Sequence, residues 1–225
     1  MIDHARRSRL LELGVFLLLL LPGIVLAQVG GESDETFVLA SIGTIAHDIA
    51  LGALVLFFVW SSGQPLSSMG WTTRKMGKEI AVGAILYPAM LVVLALLSLL
   101  LSALGLTTNA SRPGFLDPRT PAQISLGVVL VAVVAIAEET IFRGYLLLRL
   151  RELAHGIVPA IAISSLVFAF GHMYEGISGV IVVGTMGLVF ALVYVWRKSL
   201  VAPIVMHALQ DLLGIVIAPL LASHH

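Results

Sequence analysis

Cysteine is missing altogether from the 225 residues of this chain. Its absence excludes disulfides, a thiolate nucleophile, Cys-ligated zinc and a prenylatable cysteine on the protein itself. Charge is also scarce. Asp, Glu, Lys and Arg make up 12% of the residues, where a soluble domain carries about a quarter. Neither sign prevails, with 13 basic against 13 acidic residues, so the electrostatic footprint of a nucleic-acid-binding protein is lacking. What is abundant is apolar: 59% of the residues, at a mean hydropathy of +1.04. So few charges cannot coat a core of that size against water, and lipid is the solvent such a composition implies.

The apolar residues lie in long runs, each near the ~20 residues an α-helix needs to cross ~30 Å of hydrocarbon. Seven such runs are readable: Leu10–Val29, Val38–Trp60, Glu79–Leu104, Pro121–Leu148, Ile157–Met173, Val180–Trp196 and Leu200–Leu221. The expected fold is an all-α polytopic membrane helix bundle of about seven transmembrane helices, with residues 1–225 as one membrane domain. The glycines Gly176, Gly179, Gly184 and Gly187 around the sixth run read as sites of close helix–helix packing.

Basic residues cluster at alternate connections. Arg6, Arg7 and Arg9 precede the first run and Arg74, Lys75 and Lys78 the third. Arg149 and Arg151 follow the fourth, and Arg197 and Lys198 follow the sixth. The other side has the acidic Glu32, Asp34 and Glu35, with Arg112 and Arg119 as exceptions. The positive-inside rule then predicts a cytoplasmic N-terminus and an external C-terminus. Residues 1–30 also have a signal-like reading, since Val25-Leu26-Ala27 before Gln28 resembles a cleavage site. Glu12 and Pro22 interrupt that run, and a retained first transmembrane helix is the expectation.

Ionisable groups in hydrocarbon cost ~2.5–3.5 kcal/mol each on insertion scales, so each needs a reason. The first cluster is Glu138-Glu139-Thr140-Ile141-Phe142-Arg143. Glu139 and Arg143 share a helix face and are expected to form a structural ion pair. Glu138 is rotated by ~100° from its neighbour, so it is the carboxylate left over and the candidate general base. The second cluster holds Phe168 and His172, one turn apart on one face. The third holds His207 and Asp211, spaced to bind a ligand, a water or a metal together. Counted from the expected cytoplasmic helix ends (Arg149, Lys198 and Gly156) at 1.5 Å per residue, Glu138, His207 and His172 lie roughly 17, 14 and 24 Å deep, in one broad layer. His47 and Asp48 are a further mid-span pair, read as hydrogen-bonded packing with a place beside the site as the alternative. His4, His155, His224 and His225 read as solvated.

Such a set suits water activation. Glu138 is placed to accept a proton from water, and a histidine to orient that water or stabilise an oxyanion. Alternatively, Glu138, His172, His207 and Asp211 together hold a divalent metal such as Zn²⁺ that acidifies the water. No Gly-x-Ser-x-Gly elbow is present.

These three clusters, in this order, resemble the CAAX protease and bacteriocin-processing (CPBP) family of intramembrane endopeptidases, whose pattern is EExxxR, then FxxxH, then HxxxN or HxxxD. The resemblance runs from about Pro121 to Leu221, which is then the expected catalytic core. It includes Phe142-Arg143-Gly144-Tyr145-Leu146 and the passage from Ser199-Leu200 through Pro203 to His207-Ala208, with weaker likeness at Met69-Gly70-Trp71. It implies that Glu138 activates water with the help of His172. It implies that His207 and Asp211 bind the scissile carbonyl or a metal, with Glu139, Arg143 and Phe168 in support. The expected partners are a peptide or membrane-protein substrate and the lipid bilayer, and the expected location is a prokaryotic plasma membrane. Asp211 stands where prenyl-protein proteases of this type carry Asn, and an ionised Asp donates no hydrogen bond. A catalytically idle member acting as an immunity or scaffold protein, and a proton-coupled transporter, are the competing readings. The transporter lacks support from any inverted repeat.

Overall fold

In hydrocarbon a backbone N–H or C=O finds no water, and a helix is the form that satisfies both within one segment. The structure, a computed structural model, describes residues 4–29, 37–106, 118–153 and 156–222. Its long elements are all helices: α1 (His4–Val29), α2 (Phe37–Ser61), α3 (Met76–Ala103), α4 (Pro121–Leu153), α5 (Ile157–Phe170), α6 (Gly176–Arg197) and α7 (Val201–Leu221). No strand occurs among the described residues. Five of these elements, α2, α3, α4, α6 with the turn before it, and α7, are long and apolar enough to cross a bilayer. The protein is an all-α polytopic membrane bundle.

The fifth expected span, Ile157–Met173, is shorter than the sequence suggests. α5 stops at Phe170 after 14 residues, about 21 Å, which falls short of the ~30 Å slab. The chain reverses through Gly171 and His172 into a 3₁₀ turn, Met173–Glu175. That turn closes on Gly176 at φ 77°, a backbone conformation that favours glycine. α6 therefore starts earlier than the expected Val180.

α4 begins on a capping box. The Thr120 side chain accepts from the Gln123 N–H, and the Gln123 side chain accepts from the Thr120 N–H, with Pro121 in the first turn. Further along, the helix widens into π turns over Glu139–Leu146, and α7 does the same over Leu212–Ile217. The sequence pattern suggests only uninterrupted α-helix at both places. All eight residues of the α4 segment are buried. The Ser164 hydroxyl of α5 donates to the Phe142 carbonyl within it at 2.9 Å, so part of the altered backbone finds a side-chain partner.

The helices pair as α2 with α4, α3 with α7 and α5 with α6. Small residues bring them close. A Cβ on Gly83 of α3 would lie 2.6 Å from the Ala202 carbonyl oxygen of α7, and one on Gly184 of α6 would lie 3.3 Å from the Ala169 Cβ of α5. Packing of this kind drives helix association where no water is expelled.

One end of the bundle collects the start of α1, the end of α2, the start of α3, the ends of α4 and α6, and the start of α7. Arg149 at the end of α4 is fully buried there. Its Nε lies 3.0 Å from Glu12 Oε2 of α1, and its Nη1 donates to Gln64 Oε1 at 2.6 Å. Arg9 pairs with Glu12 at 3.1 Å and with Glu152 at 3.4 Å. Arg197 grips Glu79 at 2.7 and 2.9 Å, joining α6 to α3. The Leu200 N–H donates to the Gly70 carbonyl at 3.1 Å. Glu12, which the sequence shows only as an interruption in an apolar run, is the counter-ion of a buried arginine. α1 docks further through Phe16, edge-on to Tyr145 at 5.4 Å. Glu32, Asp34, Glu35, Arg112, His155, His224 and His225 lie outside the described residues.

Candidate active site

The site is built where α4, the end of α5, α6 and α7 meet. Glu139 is wholly buried, and its Oε1 accepts two hydrogen bonds, from Arg143 Nη1 at 2.8 Å and from His207 Nδ1 at 2.9 Å. The expected Glu139–Arg143 pair is thus formed, and it has a third member from α7. Arg143 is 1% exposed. Its second amino group donates to the Gly187 carbonyl of α6 at 3.2 Å. Its guanidinium carbon sits 4.3 Å from the Phe168 ring centroid and 5.2 Å from that of Phe190. The cation is therefore held by two acceptors and two aromatic faces, which is what a charge out of water requires.

His207 is 2% exposed and stacks on Phe190 at 5.3 Å. Its Nδ1 is committed to Glu139. Its Nε2 faces Asp211 Oδ2 at 3.4 Å and Glu138 Oε2 at 3.7 Å. Each ring nitrogen thus has carboxylate oxygen near it, and these partners assign hydrogens to both.

Glu138 is the carboxylate turned away from Arg143, as the helical rotation implies. Its Oε2 is buried with no hydrogen-bond partner. Glu138 and Asp211 keep 20% and 18% of their side-chain surface, while His207 keeps 3%. The open part of the cluster is therefore on the carboxylate side.

His172 stands just past the end of α5. Its Nδ1 lies 3.0 Å from the Phe168 carbonyl. A carbonyl accepts only, so Nδ1 carries the hydrogen and Nε2 is left as a free acceptor. The ring lies 5.0 Å from Phe168, and the His207 ring meets the same phenyl edge-on at 6.0 Å. His172, His207 and Asp211 lie within electrostatic range of one another. Phe168 is the common wall: it carries His172, borders His207 and covers Arg143.

The structure thus brings Glu138, Glu139 and Asp211 around the His207 ring, with Arg143 on Glu139 and with Phe168 between His207 and His172. It adds Gly187 and Phe190 of α6, which sequence reasoning missed. Gly187 had a signal, but one that small-residue packing explained. A Cβ there would come within 3.0 Å of Phe168 Cδ1 and 3.3 Å of Arg143 Nη2, so the glycine makes room for the arginine as well as the helix. His47 and Asp48 of α2 are bonded to each other at 3.2 Å, with Asp48 buried.

A metal was the alternative expectation for Glu138, His172, His207 and Asp211. Among the described residues, no three His, Asp or Glu side chains are arranged to hold a metal ion. Asp211 Oδ2 and Glu138 Oε2 lie 3.4 and 3.7 Å from His207 Nε2, and the three do not form a set arranged about a shared centre. The donor set as placed does not fit a metal, and no step below is routed through one.

No curated protein and no solved structure matches the chain. Residues 120–213 match the family model described as Rce1-like, type II CAAX prenyl endopeptidase. That stretch, less than half of the chain, contains every residue of the three motifs.

Proposed function

We propose that the protein is an intramembrane endopeptidase that hydrolyses a peptide bond in a membrane-associated peptide or protein, with Glu138 as the base for the attacking water. One observation carries this reading. Of two adjacent glutamates, Glu139 is spent on Arg143 and His207, while Glu138 keeps a free oxygen beside a histidine. A fold-stabilising role needs only the first.

Glu138 takes a proton from water as the water oxygen bonds to the scissile carbonyl carbon. His172, with Nε2 free, accepts the water's other hydrogen and aims its lone pair. The resulting oxyanion needs a donor, and an ionised Asp211 has none. His207 supplies it from Nε2–H, with Glu139 holding the far side of the ring and Asp211 the near side. Collapse of the tetrahedral intermediate breaks the C–N bond, and the proton on Glu138 passes to the departing amine. Positioned base catalysis of this kind contributes about 10²–10⁴-fold, and one oxyanion donor about 10²–10³-fold.

The basic end of the bundle faces the cytoplasm of a prokaryotic plasma membrane in this reading, and water reaches the cluster from that side. Reporter fusions to the two termini then read out opposite faces.

The test is cleavage of an internally quenched peptide ending in a farnesyl-cysteine CAAX sequence, alongside the same peptide without the lipid. Wild type cuts and Glu138→Gln does not, while its fold is kept. Full turnover by Glu138→Gln would refute the assigned base. Equal cutting of both peptides would remove the prenyl group from the substrate definition.

A further inference from the structure

Asp48 has no part in the reaction so far, and an aspartate in the middle of a membrane helix needs a reason. It lies on α2, 13 residues before the helix ends at Ser61, or about 20 Å from that end. This is the layer in which Glu138 lies. The residue is 6% exposed. One carboxylate oxygen, Oδ1, is held by His47 Nδ1 at 3.2 Å. The other, Oδ2, is buried without any hydrogen-bond partner.

α2 packs along α4 at this level. Gly52 shares a face with Asp48, one turn on, and a Cβ there would lie 4.0 Å from the Cβ of Ala137, the residue before Glu138. Both helices run the same way, and helical side chains lean toward their own N-terminus. The Gly52–Ala137 contact puts Asp48 about five residues, or ~7.5 Å, N-terminal of Glu138 along the pair, which is the direction in which the longer Glu138 side chain leans, and the two charges lie within interaction range. Two bare acceptors, Asp48 Oδ2 and Glu138 Oε2, thus stand in one buried layer from two neighbouring helices.

Acceptors cannot bond each other. A donor with two hydrogens joins them, and water is that donor. We propose that Asp48 is a second acceptor for the attacking water, which donates one hydrogen to Glu138 and the other to Asp48. This rests on the hydrolase reading above and revises one part of it. His172 then faces the substrate side of the water instead of taking its second hydrogen. His47 has the role of fixing Oδ1, so that Oδ2 is the oxygen presented. With both hydrogens tied down, the water's lone pair is left for the carbonyl carbon.

The experiment compares wild type, Asp48→Ala, Asp48→Asn and Glu138→Gln on the quenched farnesyl-CAAX peptide, with kcat and KM determined separately. Asp48→Ala lowers kcat by about ten- to a hundredfold, the scale of a lost orienting contact, and leaves KM within about twofold. Asp48→Asn keeps one acceptor oxygen and falls between. A packing role for Asp48 would lower folded yield and leave the kcat of the folded fraction unchanged. That result, with Glu138→Gln inactive, would overturn this proposal and leave the hydrolase standing. An active Glu138→Gln would overturn both. A high-resolution experimental structure gives a readout independent of any substrate. One water within about 3.2 Å of both Oδ2 and Oε2 is expected, and oxygens more than about 6 Å apart would refute the shared water.

Discussion

Arg143→Ala tests whether the buried arginine is structural. The wild-type cation has 1% of its surface exposed, bonds Glu139 and the Gly187 carbonyl, and lies between Phe168 and Phe190. Truncation takes the guanidinium from Glu139, which is fully buried, and leaves it His207 as its remaining partner. Breaking a buried pair from one side costs about 3–5 kcal/mol. Loss of the desolvated cation–π contacts adds up to about 2 kcal/mol. Set against a whole-domain stability of about 5–15 kcal/mol, the variant retains at most a fraction of its stability. Arg143→Lys keeps the charge but not the flat fork that reaches Glu139 and Gly187 together, and lies between. With no cysteine in the chain, thiol-dye assays do not apply. Thermal unfolding in detergent is followed by circular dichroism, with the monodisperse fraction measured by size exclusion. Arg143→Ala is expected to lose folded yield and unfold at clearly lower temperature. A variant as stable as wild type but inactive would refute the structural assignment and move Arg143 into the chemistry.

Gly187→Ala places a Cβ 3.0 Å from Phe168 and 3.3 Å from Arg143. Overpacking of that kind costs about 1–3 kcal/mol, so its unfolding midpoint falls, and by more than that of Gly184→Ala, whose nearest neighbour is 3.3 Å away. Glu12→Ala leaves Arg149 buried without its α1 partner, and limited proteolysis is expected to release α1 before the rest of the bundle. Equal protease resistance would mean that Gln64 and Glu152 suffice.

Much of this architecture is readable from residue order, because a bilayer leaves few options: apolar runs of the right length become helices, and charges inside them have to pair. Glu139 with Arg143 follows from spacing alone, and so does the turning-away of Glu138. What spacing cannot show is contact between helices. The bond from His207 to Glu139 joins residues 68 apart in the chain, and Arg149 with Glu12 joins residues 137 apart. Each is invisible to a periodicity argument. The same limit hides Phe190, which as one apolar residue among many carries no local mark. The short α5 was obscured by Phe170 and Met173, whose apolarity extends the run beyond the Gly171–Gly176 turn. The π turns leave no trace, since every residue in Glu139–Leu146 is as compatible with α-helix.

Glu139 is the point on which structure and chemistry compete, because a single oxygen, Oε1, serves both Arg143 and His207. Its other oxygen, Oε2, is buried with no partner. The two services separate in a double variant. Glu139→Gln keeps an oxygen for the His207 Nδ1–H but removes the charge that balances Arg143. Arg143→Met removes the cation and keeps an unbranched apolar side chain against Phe168 and Phe190. Each single change leaves one charge of the pair without the other. The pair of changes leaves neither, and replacing a buried ion pair by apolar or neutral groups is often close to neutral. The double variant is therefore expected to be more stable than Arg143→Met alone, with a coupling of about 0.5–3 kcal/mol between the sites. Because the amide oxygen that Glu139→Gln leaves in place still holds the His207 ring, part of the turnover should survive. Additive losses in stability would show that Arg143 acts through packing and not through charge. Recovered stability without any turnover would show that His207 needs the carboxylate and not merely an acceptor.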